Sequence, residues 1–153
     1  MKRVIISIFS MLVLLLATGP GLVAQTYHAD DIVGTWLNEE GTAQVEIFKV
    51  GSQFYGKIVW LETPNDSITG LPRTDKENPD PALKSKPLLG LVNLKGFVFD
   101  GDDEWEDGKI YDPKNGKTYS CKIEFESPGK LKIRGFIGIS LLGRTTYWTP
   151  VKK

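Results

Sequence analysis

Residues 105–119, WEDGKIYDPKNGKTY, decide the fold. Asn115-Gly116 separates two alternating runs, 108–111 and 117–123, and both residues tolerate the positive φ of a two-residue type I′ turn, so the stretch predicts a β-hairpin. Two strands alone are marginal in water. The apolar side of this hairpin, which includes Tyr119, Cys121 and Ile123, must therefore lie against further strands.

The flanking sequence supplies them. Upstream, runs rich in β-branched and aromatic residues at 32–37, 43–50 and 54–61 are punctuated by Glu39-Glu40-Gly41 and Gly51-Ser52. In the third run the alternation sets Phe54, Gly56, Ile58 and Trp60 on one face and Tyr55, Lys57, Val59 and Leu61 on the other. A fourth strand at 91–99 is broken by Gly96, the mark of a bulge or a barrel corner, and turns at Asp100-Gly101-Asp102. Downstream, Ser127-Pro128-Gly129 leads into a strand over 130–137, then an apolar corner at 138–143 and a last strand over 144–151. About eight short strands in succession, with no amphipathic helix, predict an all-β fold: an up-and-down antiparallel β-barrel.

One segment interrupts the meander. Residues 63–87 carry Pro64, Pro72, Pro79, Pro81 and Pro87 among polar residues, which excludes a helix or a central strand. A Pro-rich loop this long is either a lid or binding loop over one rim, or a solvated excursion.

The chain has 153 residues, with 19 basic, 19 acidic and one cysteine. Lys2 and Arg3 precede an apolar run to Ala17 that is shorter than the roughly 20 residues a membrane span needs, and Thr18-Gly19-Pro20-Gly21 breaks it. Residues 1–24 are expected to be a signal peptide, with 25–153 a single exported domain, periplasmic or secreted. Without Lys2 and Arg3 the net charge is about −2, which offers no basic field to nucleic acid or anionic lipid. Cys121, alternating with Tyr119, Ile123 and Phe125, reads as a buried small hydrophobe.

Catalysis finds no credible constellation. His28 is the only histidine and lies near the expected mature N-terminus, so Ser-His-Asp and Cys-His mechanisms lack a base. One His and one Cys cannot make a zinc site. The acidic run Asp100, Asp102, Asp103, Glu104, Glu106 and Asp107 lacks the spacing of a calcium loop and falls where a solvated turn is expected. The expectation is a protein that is not an enzyme and has no metal or cofactor.

The mature chain resembles a family of small exported bacterial proteins of unknown function assigned a lipocalin-like barrel. The matching blocks are Gly56-Lys57-Ile58-Val59-Trp60, Asp75 with Asn78-Pro79, Lys86-Pro87-Leu88-Leu89-Gly90-Leu91, Gly108-Lys109-Ile110-Tyr111-Asp112-Pro113 with Gly116-Lys117 and Tyr119, and Gly143-Arg144-Thr145 with Trp148. Gly34-Thr35-Trp36 also looks like the calycin pattern. That resemblance implies closure of one end by Arg144 stacked over Trp36. It implies a fold and an exported location, and no activity.

A barrel of this size either fills its interior or encloses one small ligand. Gly56, Gly96, Gly108 and Gly135 within strands leave space, and the aromatic residues supply an apolar lining. The expected ligand is small and apolar or amphipathic, bound in or at the mouth of the barrel. Its apolar part would enter past Trp60 and Trp105, with Tyr119 nearby, and Asp75, Asn78, Lys84 and Lys86 would form a polar rim. The alternative is an envelope protein-interaction module that uses residues 63–91. A filled core with an exposed apolar patch at 88–91 or 137–142 would favour the alternative.

Overall fold

Alternation along the chain becomes eight strands in the computed structural model, which describes residues 26–152. The leader expected at 1–24 lies outside the described residues. In chain order the strands are β1 (Gly34–Leu37), β2 (Ala43–Val50), β3 (Gln53–Leu61), β4 (Val92–Phe99), β5 (Glu104–Asp112), β6 (Lys117–Ser127), β7 (Lys130–Phe136) and β8 (Arg144–Pro150). Each pairs antiparallel with its sequence neighbour, and β1 also pairs with β8 through Trp36 opposite Pro150 and Leu37 opposite Thr149, which closes the barrel. Closure leaves no exposed sheet edge. The predicted up-and-down barrel is the observed fold.

The two ends differ. At one, the 3-10 turn Ala29–Ile32 plugs the barrel with Ile32, which is fully buried. The Trp36 indole N–H donates to Ile32 O at 2.8 Å and that of Trp105 to Ala29 O at 2.9 Å. Around them Tyr27 stacks on Phe125 with ring centroids 4.3 Å apart, and Trp36 and Trp105 meet the same ring edge-on. Large rings with satisfied polar edges suit a plug, because the N–H groups are bonded as the carbon surface is buried. At the other end lie the long loop between β3 and β4, the turns joining β1 to β2 and β5 to β6, and the β7–β8 connection.

Four expectations need correction. Arg144 does not cover Trp36: the register sets Trp36 against Pro150, six residues along β8 from Arg144, or about 20 Å. Arg144 is exposed at the loop end. The indole bonds to the N-terminal turn close the plugged end instead. Trp60 does not share a face with Phe54, Gly56 and Ile58, because a bulge between Gln44 and Val45 resets the β2–β3 pairing. Trp60 is consequently half-exposed and Leu61 is buried.

The third correction concerns the hairpin turn. Among Pro113, Lys114, Asn115 and Gly116 only Gly116 has positive φ, at 70°, and β5 and β6 pair up to Asp112 opposite Lys117. The turn thus has four residues. Pro113 presets its own φ and the Asp112 side chain accepts from Lys114 N at 2.9 Å, so Asp-Pro starts the turn before Asn-Gly is reached. The fourth concerns Gly56, Gly108 and Gly135, three of the four strand glycines, which leave no open space. A Cβ on Gly108 would fall 2.3 Å from the Phe97 ring, one on Gly56 2.8 Å from Leu94, and one on Gly135 3.3 Å from Ile110. These side chains fill the room the glycines provide.

Candidate functional site

The long loop is built rather than loose. Bridges join Asn65 to Pro72 and Thr74 to Pro87, and Asp80 caps the short 3-10 turn Pro81–Leu83. Its anchor is Asp75, buried at 1% exposure. The carboxylate accepts from Tyr111 Oη at 2.7 Å and from Asn78 Nδ2 at 2.6 Å. Burial, followed by the bond to Asp75, pushes the Tyr111 hydroxyl up to about 12. The loop also presses on the β5–β6 turn, where a Cβ on Gly116 would lie only 1.9 Å from Glu77 O. A buried polar group stays buried only when bonded, so these contacts fix the loop on the hairpin.

The expected ligand residues therefore do not converge. Asp75 and Asn78 are joined in the loop anchor. Lys84 and Lys86 are exposed on the same loop, and Trp60 faces outward from β3. Trp105 is fully buried at the plugged end. Tyr119 accepts from Asn115 Nδ2 at 3.1 Å, tying β6 to its own turn. Only Asp75 and Asn78 share a direct bond.

Two concave regions lie on the outer surface. One, of about 230 Å³, sits between the long loop and the Pro113-Lys114 turn and is lined mainly by charged groups such as Asp66, Arg73 and Lys76. The other, of about 540 Å³, runs along the outside of β5 and β6 beneath the β7–β8 connection. The second lies in the size range of small-molecule sites. Phe136 and Ile139 give it an apolar wall, and Lys109, Ser120 and Lys122, together with Glu104, Glu106 and Asp107, a polar floor. Lys122 Nζ is held by Glu104 at 2.8 Å. Lys109 Nζ donates only to Ser120 Oγ, at 2.9 Å, and has no acidic partner among the described residues. Beside it Asp107 has φ 61°, the one non-glycine in the left-handed region among the described residues. It falls where the β5–β6 register shifts, and bulges of this kind re-aim side chains at sheet surfaces.

Sequence reasoning missed this groove. Ile139 falls in the apolar corner at 138–143 and Lys109 in the block 108–113, and nothing local joins the two. The legible signal was the apolar run 136–142, too apolar for a plain turn.

The β7–β8 connection itself is pinned by Arg134. Its guanidinium donates to Ser140 O at 2.6 Å, Leu141 O at 3.1 Å and Thr145 Oγ1 at 2.7 Å. With those acceptors satisfied, Ile137, Ile139, Leu141 and Leu142 stand 60–81% exposed.

A closed eight-stranded meander with a plugged end and a looped end defines a lipocalin-like barrel protein. The chain belongs to the family of uncharacterized proteins conserved in bacteria (DUF2147), whose model matches residues 34–150. It is similar in structure to the Helicobacter pylori protein HP1028, described as belonging to the lipocalin family, with a TM-score of 0.70 and 23% identity over 80% of this chain and 84% of that one. No curated protein matches the chain.

Proposed function

We propose that this protein is an exported, non-enzymatic binder of one small amphipathic molecule, held at the loop end of the barrel and along its outer wall rather than inside it. The observation that carries this reading is the groove of about 540 Å³ with Phe136 and Ile139 on one side and Lys109 on the other. An apolar wall beside Lys109, a cation without an ion pair among the described residues, suits an apolar body whose polar or anionic head meets that one lysine. Glu104, Glu106 and Asp107 on the same lining disfavour a second anionic contact. The packed interior argues for the wall over the lumen, since Phe97, Leu94 and Ile110 occupy the space beside the glycines. Together with the exposed apolar patch at 137–142 it also supports the alternative of an interaction module, in which that patch meets a partner. Export rests on the sequence of residues 1–24, with its basic start, short apolar run and helix-breaking Gly-Pro-Gly.

The test is titration of residues 25–153 with a fluorescent fatty-acid-like probe and with its uncharged alcohol. The parent should bind both saturably. Ile139→Asp should weaken both, and Lys109→Glu should weaken the anionic probe alone. Absence of saturable binding by the parent, or binding that neither variant alters, would refute the groove.

A further inference from the structure

We propose that the loop end of this barrel docks on the surface of a lipid bilayer, with the aliphatic tips of the β7–β8 connection and of the 65–72 turn inserted among the acyl chains. Single exposed leucines are ordinary, but four large aliphatic side chains within 137–142 are not. The second tip carries Ile68 and Leu71, exposed at 93% and 66%. The proposal goes beyond the groove reading and stands on different residues, Leu141, Leu142 and Ile68.

Three further observations favour a bilayer. The first is that the display is built. The Arg134 bonds to Ser140 O and Leu141 O satisfy backbone acceptors of the connection. On the other tip Asp66 accepts from Ile68 N and Thr69 N, each at 3.0 Å. Backbone entering an apolar layer must carry its own bonding partners, and these tips bring several.

The second is placement. The β3–β4 and β7–β8 connections leave the same end of the barrel four strand positions apart, on opposite sides of a closed eight-strand ring. Two separated convex tips demand two matching hollows in a protein partner or a second copy. A fluid acyl layer receives them at any spacing.

The third is charge. Asp100, Asp102 and Asp103 lie on the β4–β5 connection at the plugged end, and Glu104 begins β5 beside them. Lys84, Lys86, Lys117 and Arg144 stand on segments at the loop end and form no ion pair among the described residues. The loop-end segments also carry Glu39, Glu40, Glu62, Asp66, Glu77, Asp80 and Asp112, so that end is close to neutral rather than basic. An anionic surface repels the more acidic plugged end, which leaves the loop end facing inward without long-range attraction. Apolar insertion then holds the protein there, as it does for interfacial segments generally.

The test is co-sedimentation of residues 25–153 with sucrose-loaded vesicles of phosphatidylethanolamine and phosphatidylglycerol, paired with velocity sedimentation without lipid. The parent should pellet with vesicles and run as a monomer alone. Leu141→Asp with Leu142→Asp should lower the partition coefficient at least tenfold, and Ile68→Asp should lower it severalfold. Val50→Asp, an exposed apolar position at the plugged end, should leave it unchanged. A tryptophan placed by Leu141→Trp should be quenched by brominated lipid. A parent that stays in the supernatant, or an Asp pair that pellets like the parent, overturns the proposal. So does a lipid-free dimer that the Asp pair dissolves. Binding of the soluble fatty-acid-like probe reports the groove separately, because Leu141 and Leu142 do not line it.

Discussion

The ring of Phe97 on β4 lies against the backbone of Gly108 on β5, so close that a Cβ at Gly108 would come within 2.3 Å of Cδ1 and Cε1. The glycine is what admits the ring, and the ring closes the space the glycine leaves. Gly108→Ala should therefore cost about 1–3 kcal/mol by overpacking. Phe97→Leu should cost less in the Gly108→Ala background than alone, and a double-mutant cycle in urea measures that coupling. Additive losses would mean the two do not share the space.

Gly116 joins the loop to the hairpin. Its φ of 70° and the approach of Glu77 O both exclude a β-branched side chain. Gly116→Val should cost on the order of 2–3 kcal/mol by strain and displaced packing, and limited proteolysis should then cut within 63–87. A loss of a few tenths with the loop still resistant would contradict the contact.

The Asp75–Tyr111 bond fixes the same loop from the outer face of β5. Tyr111→Phe removes the donor and leaves a buried carboxylate oxygen without it, a loss of about 1–3 kcal/mol. Amide exchange should quicken in the loop before it changes in the barrel. Uniform quickening would place the anchor in the global core instead.

Alkali tests the burial of Cys121 and Tyr111 together. Burial pushes the Cys121 thiol from 9.0 up to about 12, and Tyr111 rises from 10.0 to about 12. In both the folded value exceeds the unfolded one, so their contribution is fully present below pH 9 and is lost as pH rises toward 12. The urea midpoint should fall over that window, less steeply in Cys121→Ala. Below pH 9 the thiol should react with a disulfide reagent only as fast as the protein opens.

The strands were legible because alternation and Gly, Pro and Asp punctuation are local. What failed depends on partners. Val59-Trp60-Leu61 has no polar residue to reveal that a bulge opposite Gln44 and Val45 turns Trp60 outward. Asn115-Gly116 is a strong hairpin signal, yet Asp112-Pro113 starts the turn earlier and holds it with the Asp112 side chain. The Trp36–Arg144 pairing failed because the β1–β8 register is set by the whole ring of strands. Glycines within strands record close approach as readily as empty space, and only the neighbours Phe97, Leu94 and Ile110 decide which.

The most direct test of rim-and-wall binding is residue-resolved NMR of residues 25–153 titrated with a short-chain fatty acid. The account predicts saturable shifts at Lys109, Ser120, Phe136 and Ile139, with intermolecular NOEs from the acyl chain to Phe136 and Ile139. Acyl NOEs to Leu94, Phe97 or Ile133 inside the barrel would contradict it.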